Sequence, residues 1–392
     1  MSHSNLEKEL IERIRVILPD PNVNYQLHEP SFIGNEIVNL EDCIRSGWVS
    51  SVGSYVDEFE SQLAYYTGSK YAVSVMNGTA ALHIALIAIG VEENDEVITP
   101  TLTFVATANA VSYCKAIPIF ADCEEATLGI DADKLDNFLE RNAITRNNYC
   151  INKNTGRRIH ALISMHTFGH PSQIDKIVKI CTRWGIKYIE DAAESLGSFY
   201  KGRHTGTFGE VSILSFNGNK IITTGGGGAV LTNDPVLAKR IKHLTTTAKS
   251  PHGIGSYHDA VGYNYRLPNL NAALGCAQLQ SIDKFVQMKR LLAEKYSQVF
   301  SEFQGARFFL EPENAKSNYW LNTIILNIEN DKNIKSILSS LNSNGIQARA
   351  AWTPIHLLPM YEQCPRMELV TAEKLANRII NLPSSPKILD AL

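Results

Sequence analysis

One lysine, Lys220, lies in the stretch SFNGNKIITTGGGG (residues 215–228), which consists mostly of small, polar and glycine residues. A lone lysine is usually a solvated surface residue, so Lys220 by itself predicts no chemistry. Two other features change that. Asp191 ends the apolar run YIED, and Gly78 and Thr79 follow the run YAVSVM where a helical pattern begins. Lysine can form a reversible imine, a carboxylate can hold a protonated ring nitrogen, and a helix N-terminus binds phosphate. Together, these three features favour a site for pyridoxal phosphate.

Each feature taken alone has another interpretation. Thr79 could belong to an ordinary helix cap, and a carboxylate at the end of a buried strand could be a metal ligand or a general base. A metal site would need a second group of oxygen or imidazole ligands, and we find none in the sequence, so we expect no metal. The stretch TTGGGGAV is neither a dinucleotide-binding G-x-G-x-x-G opening a helix nor a P-loop. A pyridoxal phosphate site remains the interpretation that accounts for all three features.

The elements around these residues alternate between short apolar runs and helical stretches. The strand-like runs are YAVSVM, EVITP, IPIFADC, ALISMHTF, IKYIEDA, VSILSF and GGAVLT. This alternation predicts an α/β fold with a mostly parallel, seven-stranded sheet covered by helices on both faces. The last two runs are too close in sequence for a helical crossover, so we expect them to pair antiparallel. In open α/β sheets ligands bind beyond the carboxyl ends of the strands, which is where Lys220, Asp191 and Thr79 should meet.

The length of 392 residues predicts more than one domain. We expect an N-terminal helix and arm (1–30), a large cofactor-binding domain (31–265) and a smaller C-terminal α/β domain (266–392). The change of domain should fall near residues 260–285, inside the long helical pattern NLNAALGCAQLQSIDKFVQMKRLLAEKYSQVF.

Composition narrows the class of protein and its partners. A net charge of −3 and a pI near 6.4 give no basic footprint for nucleic acid or an anionic membrane. The seven cysteines show no CxxC pair and are odd in number, which indicates free thiols in a reducing cytoplasm. No secretory leader and no segment of membrane-spanning length are recognisable. We therefore predict a cytoplasmic enzyme.

Five motifs occur in a fixed order along the chain. They are NGTAALHIAL, TFVATANAV, EDAAESLGSFYKGRHTGTFG, SFNGNKIITTGGGG and GYNYRLPNLNAALG. In this order the chain, from about Phe32 to Pro383, resembles the DegT/DnrJ/EryC1/StrS sugar-nucleotide aminotransferases, which have the aspartate aminotransferase fold of type I. A few members of that family carry histidine in place of the lysine and dehydrate their sugar. The presence of Lys220 therefore favours transamination.

The resemblance implies a role for each motif residue. Lys220 would be the Schiff-base lysine and Asp191 the partner of the pyridine nitrogen, with Glu194 beside the cofactor hydroxyl and Phe104 against the ring face. The residues implied for the phosphate are Gly78, Thr79, Ala80, Ser215 and, from a neighbouring subunit, Asn264. Arg266 and His356 would lie near the sugar or nucleotide. A shared phosphate site implies a homodimer.

The stretches SGWVSSVGSYVDEFE and MHTFGHP are similar to the branch of the family that aminates C4 of UDP- or GDP-linked 4-keto-6-deoxy sugars for bacterial surface glycans. We expect L-glutamate as the amino donor and a UDP-linked 2-acetamido sugar as the acceptor. The alternatives are a GDP-linked sugar of the perosamine type, a pyridoxal phosphate-dependent sugar lyase or dehydratase, and a non-catalytic regulator that keeps the fold.

Overall fold

The structure is a computed structural model that describes residues 3–250, 256–327 and 331–391. Its helices in these ranges are α1 His3–Arg15, α2 Glu36–Ser46, α3 Ser54–Thr67, α4 Gly78–Ala88, α5 Ala106–Tyr113, α6 Ala132–Asn142, α7 Ile174–Trp184, α8 Pro235–Thr245, α9 Asn269–Gln280, α10 Ile282–Phe300, α11 Asp331–Ser343 and α12 Val370–Ala376. The strands are β1 Tyr71–Val75, β2 Glu96–Pro100, β3 Ile117–Ala121, β4 Ala143–Arg146, β5 Tyr149–Asn152, β6 Ile159–Met165, β7 Lys187–Asp191, β8 Phe199–Tyr200, β9 Arg203–His204, β10 Val211–Ser215, β11 Gly228–Thr232, β12 Ala306–Phe308, β13 Ala315–Lys316, β14 Asn322–Leu326, β15 Arg349–Ala350 and β16 Ile379–Leu382.

A seven-stranded sheet forms the centre of the larger part of the chain, in the order β1-β11-β10-β7-β6-β2-β3. Strands β10, β7, β6, β2 and β3 are parallel, and β11 is antiparallel to both of its neighbours. The mostly parallel sheet and the antiparallel pairing of β10 with β11 are confirmed. The strands are buried along almost their whole length because helices cover both faces, as parallel sheets require.

The two faces of the sheet have separate cores. On one face, Val73 and Val230 of the sheet pack with Ala81 and Leu82 of α4. On the other face, Phe59 of α3 packs edge-to-face against Phe216, with the ring centroids 5.1 Å apart. Strands β1, β7 and β10 run in the same direction, so their carboxyl ends lie at one edge of the sheet. Helix α4 begins shortly after β1 at this edge.

The smaller part of the chain is built around a four-stranded sheet in the order β12-β14-β16-β15. Its core includes Leu10 of α1, Leu292 and Tyr296 of α10, and Ile324 of β14. The N-terminal helix therefore belongs to the same core as the C-terminal elements. No helix in the three described ranges has both the length and the apolar character needed to cross a membrane.

The long helical stretch near the predicted domain change consists of two helices, α9 and α10. The long helical pattern is interrupted at Ser281, and α9 before the break packs in the core of the large sheet through Ala272 and Cys276. Helix α10 begins in that core with Phe285 and ends in the core of the smaller sheet with Leu292 and Tyr296. We propose that the small domain begins within α10 and includes α1.

Candidate active site

A cavity of about 280 Å³ lies at the carboxyl edge of the seven-stranded sheet. It is lined by Asn77, Gly78, Thr79, Leu82, Phe104, Ala106, Met165, Asp191, Ala193, Glu194, Ile213, Ser215, Asn217, Asn219, Lys220, Trp320, Arg349 and Trp352. The predicted lysine, carboxylate and helix N-terminus therefore meet in one place. A larger groove of about 820 Å³ runs along α10, and none of the predicted site residues lines it.

Lys220 follows β10 in a turn closed by a hydrogen bond from its backbone N–H to the carbonyl of Asn217, 3.0 Å away. The Nζ atom lies 3.2 Å from Oε1 of Glu194 and 3.9 Å from the ring centroid of Trp320. The indole N–H of Trp320 donates to the carbonyl of Asn219 at 2.8 Å, which fixes the ring beneath the amine. An ion pair and a cation–π contact thus hold the amine in the cavity.

Asp191 ends β7 and is buried. Its Oδ2 accepts a hydrogen bond from the Thr107 hydroxyl at 2.9 Å, and its Oδ1 accepts one from the Ala193 N–H at 3.3 Å. Burial raises the pKa of this carboxyl, and the Thr107 hydrogen bond and the nearby charge of Lys220 act in the opposite direction. A cationic ring nitrogen at this position would favour the ionised carboxylate, as a buried charge needs a partner.

Glu194 is also buried, and its two carboxyl oxygens have different partners. Oε1 faces Lys220, and Oε2 accepts from the backbone N–H of Phe168 at 2.9 Å. Phe168 adopts the left-handed conformation (φ 56°), which costs free energy and is held by stacking of its ring on Trp352 at 5.0 Å. Burial raises the pKa of Glu194 to about 7, with the charge of Lys220 opposing the rise. Its carboxyl therefore titrates near neutrality in the cofactor-free protein.

The N-terminus of α4 forms the other end of the cavity. The backbone N–H groups of Gly78 and Thr79 have no acceptor within the described ranges, whereas the N–H of Ala80 donates to Oδ1 of Asn77 at 2.7 Å. Of the three predicted backbone donors, Gly78 and Thr79 are thus available, and Ala80 is occupied by the helix cap. A Cβ at Gly78 would lie 3.0 Å from Cβ of Ser215, so glycine keeps this end open. Free amides beside a hydroxyl at a helix N-terminus fit a phosphate group.

The glycine run after Lys220 has a specific use at its last residue. A Cβ at Gly228 would lie 2.6 Å from the carbonyl carbon of Asn77 and 2.8 Å from the backbone nitrogen of Gly78. Glycine therefore lets β11 pass directly beside the chain that begins α4. Gly228 thus shapes the end of the cavity at the N-terminus of α4 through backbone packing.

Phe104 lines the cavity and is 50% exposed, so its ring is not part of either core. That position suits a residue that stacks on a ligand ring. Asn264, predicted to act in a neighbouring subunit, is exposed and forms a β-bridge with Thr246 outside the cavity.

Two predicted substrate residues do not lie at this cavity. Arg266 is buried, pairs with Glu60 (Nη2 to Oε1, 2.7 Å) and donates to the carbonyl of Ser74 at 3.0 Å. This buried ion pair fixes the Arg266 side chain beside β1, because a buried guanidinium needs a carboxylate. His356 lines a separate cavity of about 310 Å³, where its Nδ1 lies 2.7 Å from the Thr101 hydroxyl. The structure thus gives neither residue a contact with the cavity around Lys220.

Four further residues belong to the site and were missed in the sequence: Thr107, Trp320, Arg349 and Trp352. Thr107 falls within the motif TFVATANAV, so its spacing could have pointed to it. The other three come from the small domain, in stretches that resemble an ordinary strand and a proline-rich loop. Nothing in those stretches signals contact with a lysine that lies 100 to 132 residues earlier.

The arrangement fits pyridoxal phosphate on the evidence of the side chains themselves. The cavity presents a fixed amine, a buried carboxylate and free amide donors, and its glycine cradle would be filled by a Cβ. These are the groups that a pyridoxal phosphate site requires for the aldehyde, the ring nitrogen and the phosphate.

Comparison with known proteins supports this reading. The model of the DegT/DnrJ/EryC1/StrS aminotransferase family matches residues 31–391. The chain is 37% identical to GDP-perosamine synthase of Vibrio cholerae, over 93% of this chain and 95% of that protein. It is 36% identical to GDP-perosamine synthase of Escherichia coli O157:H7, over 92% and 93% of the two proteins. Among solved structures, Helicobacter pylori PseC, an aminotransferase involved in the biosynthesis of pseudoaminic acid, superposes with a TM-score of 0.82 and 27% identity, covering 92% of this chain and 93% of that one.

The family match spans nearly the whole chain and includes every residue that lines the cavity. The aminotransferases of this family use pyridoxal phosphate. The expected fold, enzyme class and cofactor are confirmed. The chain belongs to the DegT/DnrJ/EryC1/StrS aminotransferase family and is a pyridoxal phosphate-dependent sugar aminotransferase of fold type I.

Proposed function

We propose that this enzyme transfers the amino group of L-glutamate to C4 of a GDP-linked 4-keto-6-deoxy sugar, in the biosynthesis of a bacterial surface glycan. The observation that carries the aminotransferase reading is the placement of Lys220 between Glu194 and Trp320, in the cavity that also holds Asp191. The GDP-linked acceptor is favoured over the UDP-linked 2-acetamido sugar expected from the sequence, because two similar relatives are named GDP-perosamine synthase.

Pyridoxal phosphate, when bound, supplies the electron sink that lets a proton leave the carbon bearing the amino group. Lys220 is the residue that would anchor the cofactor and then, as a free amine, move that proton between carbons. Asp191 would hold the proton on the ring nitrogen, and Thr107 orients its carboxylate through a hydrogen bond of 2.9 Å. Gly78, Thr79 and Ser215 would bind the phosphate.

Glu194 and Trp320 both act directly on Lys220. Both contact the amine directly, at 3.2 and 3.9 Å. They keep the lysine inside the cavity when it is not attached to the cofactor, so that its Nζ remains close to the reacting carbon. This is a positional contribution, which raises the effective concentration of the amine.

We also propose that the enzyme is a homodimer in which Asn264 of the partner subunit reaches the phosphate. In support, Asn264 is exposed and lies away from this chain's own cavity. Tyr257 and Val261 in the same segment are 58% and 83% exposed, which is typical of a surface that another chain covers. Light scattering of the purified enzyme should therefore give twice the chain mass.

The test is a screen of GDP- and UDP-linked 4-keto-6-deoxy sugars with L-glutamate, followed by mass spectrometry. We expect a product with a new amine from the GDP-linked sugar, together with 2-oxoglutarate. Lys220→Ala is the matched control and should form no amine although its phosphate site is intact. Amine formed only on the UDP-linked sugar would overturn the choice of nucleotide. Loss of a hydroxyl without a new amine would favour the lyase or dehydratase.

A further inference from the structure

A second, smaller cavity opens beside the active site. Its volume is about 190 Å³, and it lies between the N-terminal arm and the small domain. It shares four residues with the active-site cavity: Asn219, Trp320, Arg349 and Trp352. A ligand group in this side cavity would therefore be continuous with one held beside Lys220.

Arg349 is the first residue of β15 and lines both cavities. Its backbone is fixed by pairing with Asn381 of β16. Its side chain forms neither an ion pair nor a hydrogen bond with any residue of the described ranges. An arginine with five unused donors, set on a rigid strand at a cavity wall, is suited to bind a planar anion.

His28 lines the side cavity from the arm. Its ring nitrogens are both buried and neither has a hydrogen-bond partner within the described residues. A buried polar group without a partner is costly, and such a group commonly awaits a ligand or water. Burial is the main cause that lowers the pKa of His28 well below its usual value, so the ring is neutral and presents one N–H donor.

The side cavity has a positively charged residue in its lining and no negatively charged one. None of its twelve lining residues is acidic. In the adjoining cavity, Asp191 is hydrogen-bonded to Thr107 and Glu194 faces Lys220. Among the described lining residues, Arg349 thus carries the one charge that has no opposite charge beside it, and the ligand group it favours is an anion.

The size of the side cavity limits what this anion can be. Pockets that enclose a drug-sized ligand have volumes of about 300–1,000 Å³, and a nucleoside diphosphate belongs in that range. A cavity of about 190 Å³ instead suits the carboxylate end of an amino acid. The flat guanidinium can hold such a carboxylate through two parallel hydrogen bonds.

We propose that Arg349 and His28 form the subsite for a carboxylate of the amino donor, with the rings of Trp320 and Trp352 bordering it. This subsite rests on the proposed function in one respect. A donor whose carboxylate lies in the subsite must place its amino group at the cofactor beside Lys220. It makes Arg349 a residue that determines donor specificity, selecting a dicarboxylic amino acid over a neutral one.

The experiment measures binding of glutarate, a dicarboxylate without an amine, to the cofactor-loaded enzyme by isothermal titration calorimetry. Arg349→Gln is compared with wild type and with Arg307→Gln, a small-domain arginine that lines neither cavity and lies 3.8 Å from Glu125. GDP is titrated in parallel as the probe of the nucleotide end. Because two charge-assisted hydrogen bonds are lost, the Kd for glutarate should rise about 10–100-fold in Arg349→Gln. The Kd for GDP should stay within twofold.

The outcomes separate this proposal from the proposed function. Unchanged glutarate binding in Arg349→Gln would overturn the donor subsite, even if the enzyme still aminates a GDP-linked sugar. Weakened GDP binding with unchanged glutarate binding would also overturn it, because the anion would then be the diphosphate. If no nucleotide sugar is aminated but Arg349→Gln weakens glutarate binding, the acceptor assignment fails and the subsite stands. His28→Phe should give a smaller rise in the Kd for glutarate, and no rise would remove His28 from the subsite.

Discussion

Replacing Glu194 by glutamine should change how the stability of the cofactor-free protein depends on pH. The carboxyl is buried, and its pKa rises from the ordinary 4.5 to about 7. Between these two pH values the folded protein binds one more proton than the unfolded chain does. Stability from this group is therefore fully present below pH 4.5 and is lost as the pH rises towards 7.

The magnitude follows from the size of the pKa change. One pH unit corresponds to about 1.4 kcal/mol per proton, so a rise from 4.5 to about 7 is worth about 3 kcal/mol. Glutamine does not titrate, and its side-chain oxygen still accepts one of the hydrogen bonds now made by Phe168 and Lys220. The unfolding free energy of Glu194→Gln minus that of wild type should therefore increase by about 3 kcal/mol from pH 4.5 to pH 8.

The assay is urea unfolding of the cofactor-free proteins at half-unit intervals from pH 4.5 to 8. The informative quantity is the difference in unfolding free energy between Glu194→Gln and wild type, since every other titrating group is common to both. Glu302→Gln, at an exposed position without a side-chain hydrogen bond in the described structure, is the control and should give a flat difference. A flat difference for Glu194→Gln as well would refute the reasoning, because its carboxyl would then ionise alike in the folded and unfolded states.

Two further changes test the ends of the cofactor cavity, each by titrating the cofactor-free enzyme with pyridoxal phosphate and following absorbance. Thr107→Val removes the hydroxyl that donates to Asp191 at 2.9 Å; the Kd for the cofactor should rise about tenfold, whereas Thr107→Ser, which keeps the hydroxyl, should bind as wild type does. Gly78→Ala places a Cβ 3.0 Å from that of Ser215 and should weaken cofactor binding by a similar factor. Gly218→Ala, whose Cβ would meet no atom within 4 Å, is its control, and equal affinities in the two alanine variants would contradict the role given to Gly78.

The site residues whose positions depend on the geometry of the sheet could be predicted from the sequence. Parallel strands end at a common edge, so Asp191 at the end of β7 and Ser215 at the end of β10 had to lie close together once the strands were recognised. Lys220 follows β10 by a few residues, and Thr79 lies in the first turn of the helix after β1. Strand pairing fixes Asp191 and Ser215, and short distances along the chain fix Lys220 and Thr79.

The other half of the site depends on how two domains pack, which local patterns do not encode. Trp320 and Arg349 reach the cavity because the small domain folds against the edge of the sheet. Arg266 illustrates the reverse case. Its motif resembles that of the family, and the resemblance placed Arg266 near the substrate. In the structure its guanidinium instead pairs with the buried carboxylate of Glu60. Contacts between residues far apart in sequence decide both outcomes.

The placement of α1 in the small-domain core has a consequence for synthesis of the protein. Leu10 leaves the ribosome nearly three hundred residues before its packing partners Leu292 and Tyr296. At about 5–20 residues per second, the first helix waits on the order of 15–60 s with its apolar face uncovered. The large domain can form during that time, while the small domain must close after most of the chain has been made. Helix α1 is thus made long before its packing partners, and a chaperone would have that interval in which to bind it.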